Sequence, residues 1–238
     1  MAGFRFLFSE LIQETKVMAT LSEGFLDPSR IWVLSRFLSH LRSIGGKPAE
    51  RVYTLELRCL HTIPSDQYDR NVGREIYAVI SGIWELQPWG ERSDPDREIE
   101  FCGKASTKIE LYASGDPETR LAMWRLELGD EKSPGCYVHA QILGDSTKPP
   151  FPKSVPIPRL PSLFVTPMSA VEFVLGELFQ NDWPEVTSKK RYEVYEWHKL
   201  QKKWLQQLFS WYQDQIERAG SFPWIALKKA KPKDGMFL

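Results

Sequence analysis

The stretch Glu98–Ala113, EIEFCGKASTKIELYA, leaves this chain the fewest choices of fold. Ile99, Phe101, Gly103, Ala105, Thr107, Ile109 and Leu111 alternate with Glu98, Glu100, Cys102, Lys104, Ser106, Lys108 and Glu110. A two-residue period puts the first set on one side of a strand and the second on the other. One side is apolar and one charged, which suits an antiparallel sheet with a single wet face. Gly103 falls in the middle, where a bulge or bend is expected.

The neighbouring segments support the same sheet. In RVYTLELRCLHT the alternation places Tyr53, Leu55, Leu57, Cys59 and His61 on one face, with Thr54, Glu56 and Arg58 on the other. EIYAVISGIWELQPW is apolar on both faces and reads as a central strand. RLAMWRLEL follows the turn Ser114-Gly115-Asp116-Pro117, and CYVHAQIL follows GDEKSPG. The links are too short for helical crossovers, so about five strands over 51–143 should form an antiparallel meander.

Helical periods flank the sheet. Phe4, Leu7, Leu11, Met18 and Leu21 suggest a first helix over 4–22. Asp27-Pro28 opens a second over 28–44, which Gly45-Gly46 should close in a left-handed conformation. Residues 144–166 are rich in proline, yet also carry aliphatic side chains, so they should lie against the domain rather than link two domains. Thr166-Pro167 starts a helix over 167–181, and a last helix spans 191–219. Residues 221–238 form a basic tail. The expectation is a single α+β domain over 1–220 with its helices packed on one sheet face.

Composition narrows the function. The 238 residues include 31 Lys+Arg and 31 Asp+Glu, so the chain has no overall basic excess of the kind nucleic-acid-binding domains often show. Cys59, Cys102 and Cys136 are too few for a disulfide framework. With no signal-peptide pattern and no apolar run of about 20 residues, a cytoplasmic protein without membrane contact is expected.

Catalytic motifs are missing: there is no HExxH, GxSxG, P-loop or dinucleotide fingerprint, and no cofactor is indicated. Cys59, His61, Cys136 and His139 have the residue types of a zinc site, but their spacing matches no zinc knuckle. Cys136 and His139 also point to opposite faces of a regular strand. His61, His139 and Gln141 could form a polar ligand or proton-transfer site if their strands were close. Trp197, Trp204 and Trp211 recur every seven residues along the last helix, which fits either core packing or a partner-binding seam. Lys189, Lys190, Arg191, Lys199, Lys202 and Lys203, with the tail residues Lys228, Lys229, Lys231 and Lys233, could form a local positive patch.

Three functions follow as expectations. The first is a non-enzymatic accessory or adaptor subunit of a cytoplasmic complex, joined to a protein partner or to a second copy of itself. The second is a hydrolase or ligand-binding enzyme centred on His61, His139 and Gln141. The third is a nucleic-acid-binding module that uses the basic C-terminal region.

Overall fold

A computed structural model describes residues 4–49, 51–69, 72–91, 97–129, 136–142, 159–163, 166–220, 222–232 and 237–238. It has the mixed α+β class expected, with an antiparallel sheet. Eight strands occur among the described residues: β1 (Phe4–Leu7), β2 (Tyr53–His61), β3 (Ser65–Asp69), β4 (Arg74–Trp89), β5 (Glu98–Ala113), β6 (Asp116–Leu128), β7 (Val138–Ile142) and β8 (Leu160–Pro161). The helices are α1 (Phe8–Leu21), α2 (Trp32–Gly45), α3 (Pro167–Leu178), α4 (Asp182–Ser188), α5 (Tyr192–Glu217) and α6 (Pro223–Lys229). The main strand order is β2-β4-β5-β6-β7-β8, while β1 pairs with β5 and β3 with β4.

The added strands have local causes. Phe4-Arg5-Phe6-Leu7 alternates, so the expected first helix begins only at Phe8. Phe4 and Phe6 are fully buried, whereas Arg5 turns to the other face, 3.3 Å from Glu100 and over the Trp89 ring. This strand pairs with Glu98–Phe101, along the part of β5 that β6 leaves open. β8 comes from the end of the proline-rich stretch and pairs with β7. Pro161 cannot donate to a ladder and is placed on an edge strand. Most of 144–166 lies outside the described residues.

The inward set of β5 is reproduced at Ile99, Phe101, Ala105, Thr107, Ile109 and Leu111, which are buried, but Glu100 and Glu110 of the outward set are buried as well. The irregularity falls at Gly103. Trp84 pairs with Ala105 and Leu86 with Phe101, so one residue of β4 spans three of β5. In β2 the expected face assignment fails beyond Leu57. Leu57 pairs with Gly82 and Leu60 with Ile80, so Arg58 and Cys59 together oppose Ser81. Cys59 takes the extra position with a φ of 50°. The bulge reverses the parity, so Leu60 is buried and Cys59 is exposed.

One core cluster joins the apolar sheet face to residues of α1, α2, α3 and α5. Trp197, Trp204 and Trp211 are all buried in it. Trp204 meets Phe6 edge-on with ring centroids 5.3 Å apart, and Trp211 meets Phe4 at 6.0 Å. The seven-residue repeat therefore serves this chain's own core, and the partner-binding reading of the three rings is corrected. Two described residues of the basic tail, Ala230 and Phe237, join this core as well. Phe237 is buried and stacks on Phe6 at 4.9 Å.

The end of α2 differs from the expected cap. Gly46 has a φ of −83°, so no left-handed cap forms. Gly45 instead makes room for Phe8, whose ring would lie 2.1 Å from any Cβ at this position. Arg97 donates to the Gly45 and Lys47 carbonyls, placing a buried cation at the helix end.

A buried carboxyl ties the helices together. Thr166 caps α3 by accepting from the Ser169 N–H, and its hydroxyl also donates to Glu14 Oε1 on α1. Gln201 Nε2 on α5 donates to the same oxygen at 3.1 Å. Burial pushes the Glu14 carboxyl up to about 8, against the effect of these two hydrogen bonds and with help from Glu172 and Glu10. Glu14 therefore keeps its proton at neutral pH. Since the unfolded chain releases that proton near its ordinary value, folding stability declines as pH rises from about 4.5 to 8. Glu14→Gln, which mimics the protonated side chain, should remove this decline. Urea unfolding at pH 8 should find the variant more stable than the parent by on the order of a few kcal/mol, with little difference at pH 5.

Candidate functional site: the open sheet face

The sheet face opposite the core collects outward side chains from strands far apart in sequence. Cross-strand pairing aligns Ser81 with Lys108, Lys108 with Arg125, and Arg125 with Gln141. A parallel row aligns Glu56, Ile83, Ser106, Glu127 and His139. Between β2 and β6 lies a hollow of about 440 Å³ whose charged lining is Arg58, Lys104, Lys108, Arg125 and Glu56. A second hollow of about 330 Å³ lies between β2 and α2, lined by Arg30, Trp32, Arg36 and His40. Both include Glu56, Arg58 and Cys59, so they meet at the bulge on the edge strand.

Part of the positive charge is balanced. Arg58 pairs with Glu56, and Lys108 Nζ lies 2.7 Å from Glu110. Arg120 adds a second partner to Glu110 at 2.8 Å. Burial opposes ionisation of Glu110, but these two cations outweigh it and hold the carboxyl below its usual range. Arg125 is only loosely paired, 4.0 Å from Glu127. Arg30, Arg36 and Lys104 have no ion-pair partner among the described residues. Six cations and one carboxylate thus line the joined hollows, although the whole chain is neutral.

Aromatic rings flank the charged region. Tyr77 stacks on Tyr112 with centroids 5.5 Å apart, and His61 extends the row at 6.2 Å. Burial first, and then Arg30, lower the His61 pKa, while Asp27 opposes them.

His139 has a different setting. It is 1% exposed, donates from Nδ1 to the Cys136 carbonyl at 2.8 Å, and holds Nε2 3.3 Å from Glu127. Ser106 Oγ donates to the other Glu127 oxygen at 3.0 Å. His139 leads in holding the Glu127 carboxyl below its usual range, against burial, and Ser106 and Arg125 add to the effect. The carboxylate stands between the hydroxyl and the imidazole, so His139 does not reach Ser106 as a general base.

His61 and His139 occupy β2 and β7, four strand spacings apart, or about 19 Å. The reading that joins them with Gln141 in one active site is therefore corrected; Gln141 falls beside Arg125 on the open face. The same separation divides the Cys59/His61 pair from the Cys136/His139 pair. Among the described residues, no group of three His, Cys, Asp or Glu side chains could hold a metal.

The expected basic patch is also redistributed. Lys203 bonds Glu10 at 2.9 Å, Lys189 pairs with Glu185, and Lys199 lies 3.9 Å from Glu196. Lys228 and Lys229 are exposed on α6, Lys231 follows it, and Lys233 lies outside the described residues. Among the described residues, none of the tail lysines lines either hollow. No described helix is long and apolar enough to cross a membrane.

The three thiols differ in access. Cys59 is exposed at the junction of the hollows, whereas Cys136 is buried. Burial, followed by Glu100 and Glu85, pushes the Cys102 thiol up to about 11. Native protein at pH 7.5 should therefore react rapidly with one equivalent of a thiol reagent and release the other two only on unfolding. Cys59→Ser should abolish the fast phase.

Compared with protein-family models, curated proteins and solved structures, the chain matches none.

Proposed function

We propose that this protein is a nucleic-acid-binding module whose open sheet face and β2 edge hold the phosphate backbone. One observation carries the reading: Arg30, Arg36, Arg58, Lys104, Lys108 and Arg125 converge on one joined surface facing a single lining carboxylate, Glu56. A phosphate chain gains from several cations at once because each contact releases condensed counterions. The Tyr77–Tyr112–His61 row supplies aromatic surface beside the charges, a combination suited to nucleic acid lying on a sheet. The three free cysteines favour a reducing setting, and a cytoplasmic location belongs to the proposal.

The groove replaces the tail as the expected contact surface. A triple variant, Lys104→Ala with Lys108→Ala and Arg125→Ala, should weaken oligonucleotide binding at least about tenfold and flatten its dependence on salt. Lys228→Ala with Lys229→Ala should leave both nearly unchanged. Fluorescence anisotropy over a range of salt concentrations measures both. Loss in the tail variant with retention in the groove variant would return the site to the C-terminus.

The accessory-subunit reading keeps one independent support. Phe209 and Ile216 on α5, with Phe222, Trp224 and Ile225 at α6, are large exposed apolar side chains. These side chains offer apolar surface to a protein partner or a second copy of the chain. If a second copy covers it, sedimentation should detect a concentration-dependent dimer that Phe222→Ser with Trp224→Ser disperses.

A further inference from the structure

We infer that the hollow between α2 and β2 takes one unpaired base on Trp32, and that the ligand is therefore single-stranded. The inference rests on the reading of the groove as a nucleic-acid site and adds what that reading leaves open. Trp32 is the first residue of α2 and remains 47% exposed. The core contacts of this helix are made by Val33, Leu34, Phe37, Leu41 and Ile44, so packing does not account for the indole. Its Nε1 donates to the Ser29 carbonyl at 3.0 Å, fixing one edge of the ring. Arg36, one turn along, places its guanidinium 5.9 Å from the ring centroid. Arg30, Arg36 and Arg58 line the same hollow.

A half-exposed, anchored aromatic ring among cations has the two parts that hold a nucleotide. The ring offers a face for the base, and the cations attract the phosphates on either side of it. Duplex DNA keeps its bases stacked and paired, so only a strand with a free base can use Trp32. The bulge at Cys59 lies between this hollow and the open sheet face. A single strand therefore crosses the β2 edge there, with its backbone continuing towards Lys108 and Arg125.

The experiment compares the parent, Trp32→Ala, Trp32→Phe and Lys108→Ala/Arg125→Ala in binding a single-stranded 12-mer, the matching duplex and a single strand carrying abasic positions. Circular dichroism and thermal unfolding confirm that each variant is folded. Trp32→Ala should lower single-strand affinity about tenfold, with an unchanged salt slope and little effect on duplex or abasic strand, and Trp32→Phe should restore most of the loss. Lys108→Ala/Arg125→Ala should weaken every ligand and reduce the slope. If Trp32→Ala leaves single-strand binding intact, or weakens strand and duplex equally, while the groove variant fails, the base pocket is overturned and the groove reading survives. If the parent binds no oligonucleotide, or polyglutamate displaces it equally well, both are overturned.

Discussion

The pairing of β4 with β5 over most of their sixteen-residue lengths determines where everything else can go. An antiparallel ladder of that reach fixes the alternation of both strands together, because slipping by one residue would send every core side chain to solvent. Ile76, Ala78, Ile80, Trp84 and Leu86 therefore share a face with Ile99, Phe101, Ala105, Ile109 and Leu111. That apolar face demands a helical cover. The opposite face is mixed, carrying most of the charged strand residues together with Tyr77, Ile83 and Tyr112. β1, β2 and β6 join the edges of this hairpin, so the charges of β2, β5 and β6 come into one field by geometry alone.

How much of this could be read beforehand depended on whether the signal was local. The Glu98–Ala113 alternation, the Thr166-Pro167 cap and the irregularity at Gly103 are local, and all three appear in the structure. The helical spacing of Phe4, Leu7, Leu11, Met18 and Leu21 predicts a helix that includes Phe4–Leu7. Four alternating residues cannot outweigh that pattern without knowledge that β5 has an open edge. The β2 parity failed for a similar reason. Nothing in LELRCLH announces that two residues will oppose one, and a single inserted position reverses every later assignment.

The charged surface was harder to read. Arg30, Arg36, Arg58, Lys104, Lys108 and Arg125 are scattered over nearly a hundred positions and lie among acids. Strand register and the start of α2 bring them together in space, with Glu56, Glu110 and Glu127 beside Arg58, Lys108 and Arg125. The visible runs, such as Lys189-Lys190-Arg191, drew attention through their sequence density, yet several helical lysines are matched by nearby carboxylates. Net charge fails as a guide when the two signs are sorted by surface. The tryptophan repeat carried the opposite difficulty: its spacing described a face of α5 without saying what would cover it.

The meeting of Phe6 with Phe237 joins residues from the first strand and the last described segment. During synthesis, the ring of Phe6 cannot acquire that neighbour until residue 237 has emerged from the ribosome. The sheet hairpins can form earlier, but the aromatic centre closes only after translation has passed this point. Until then the nascent protein carries an unfinished, sticky interior, a state in which chaperones have an opportunity to act.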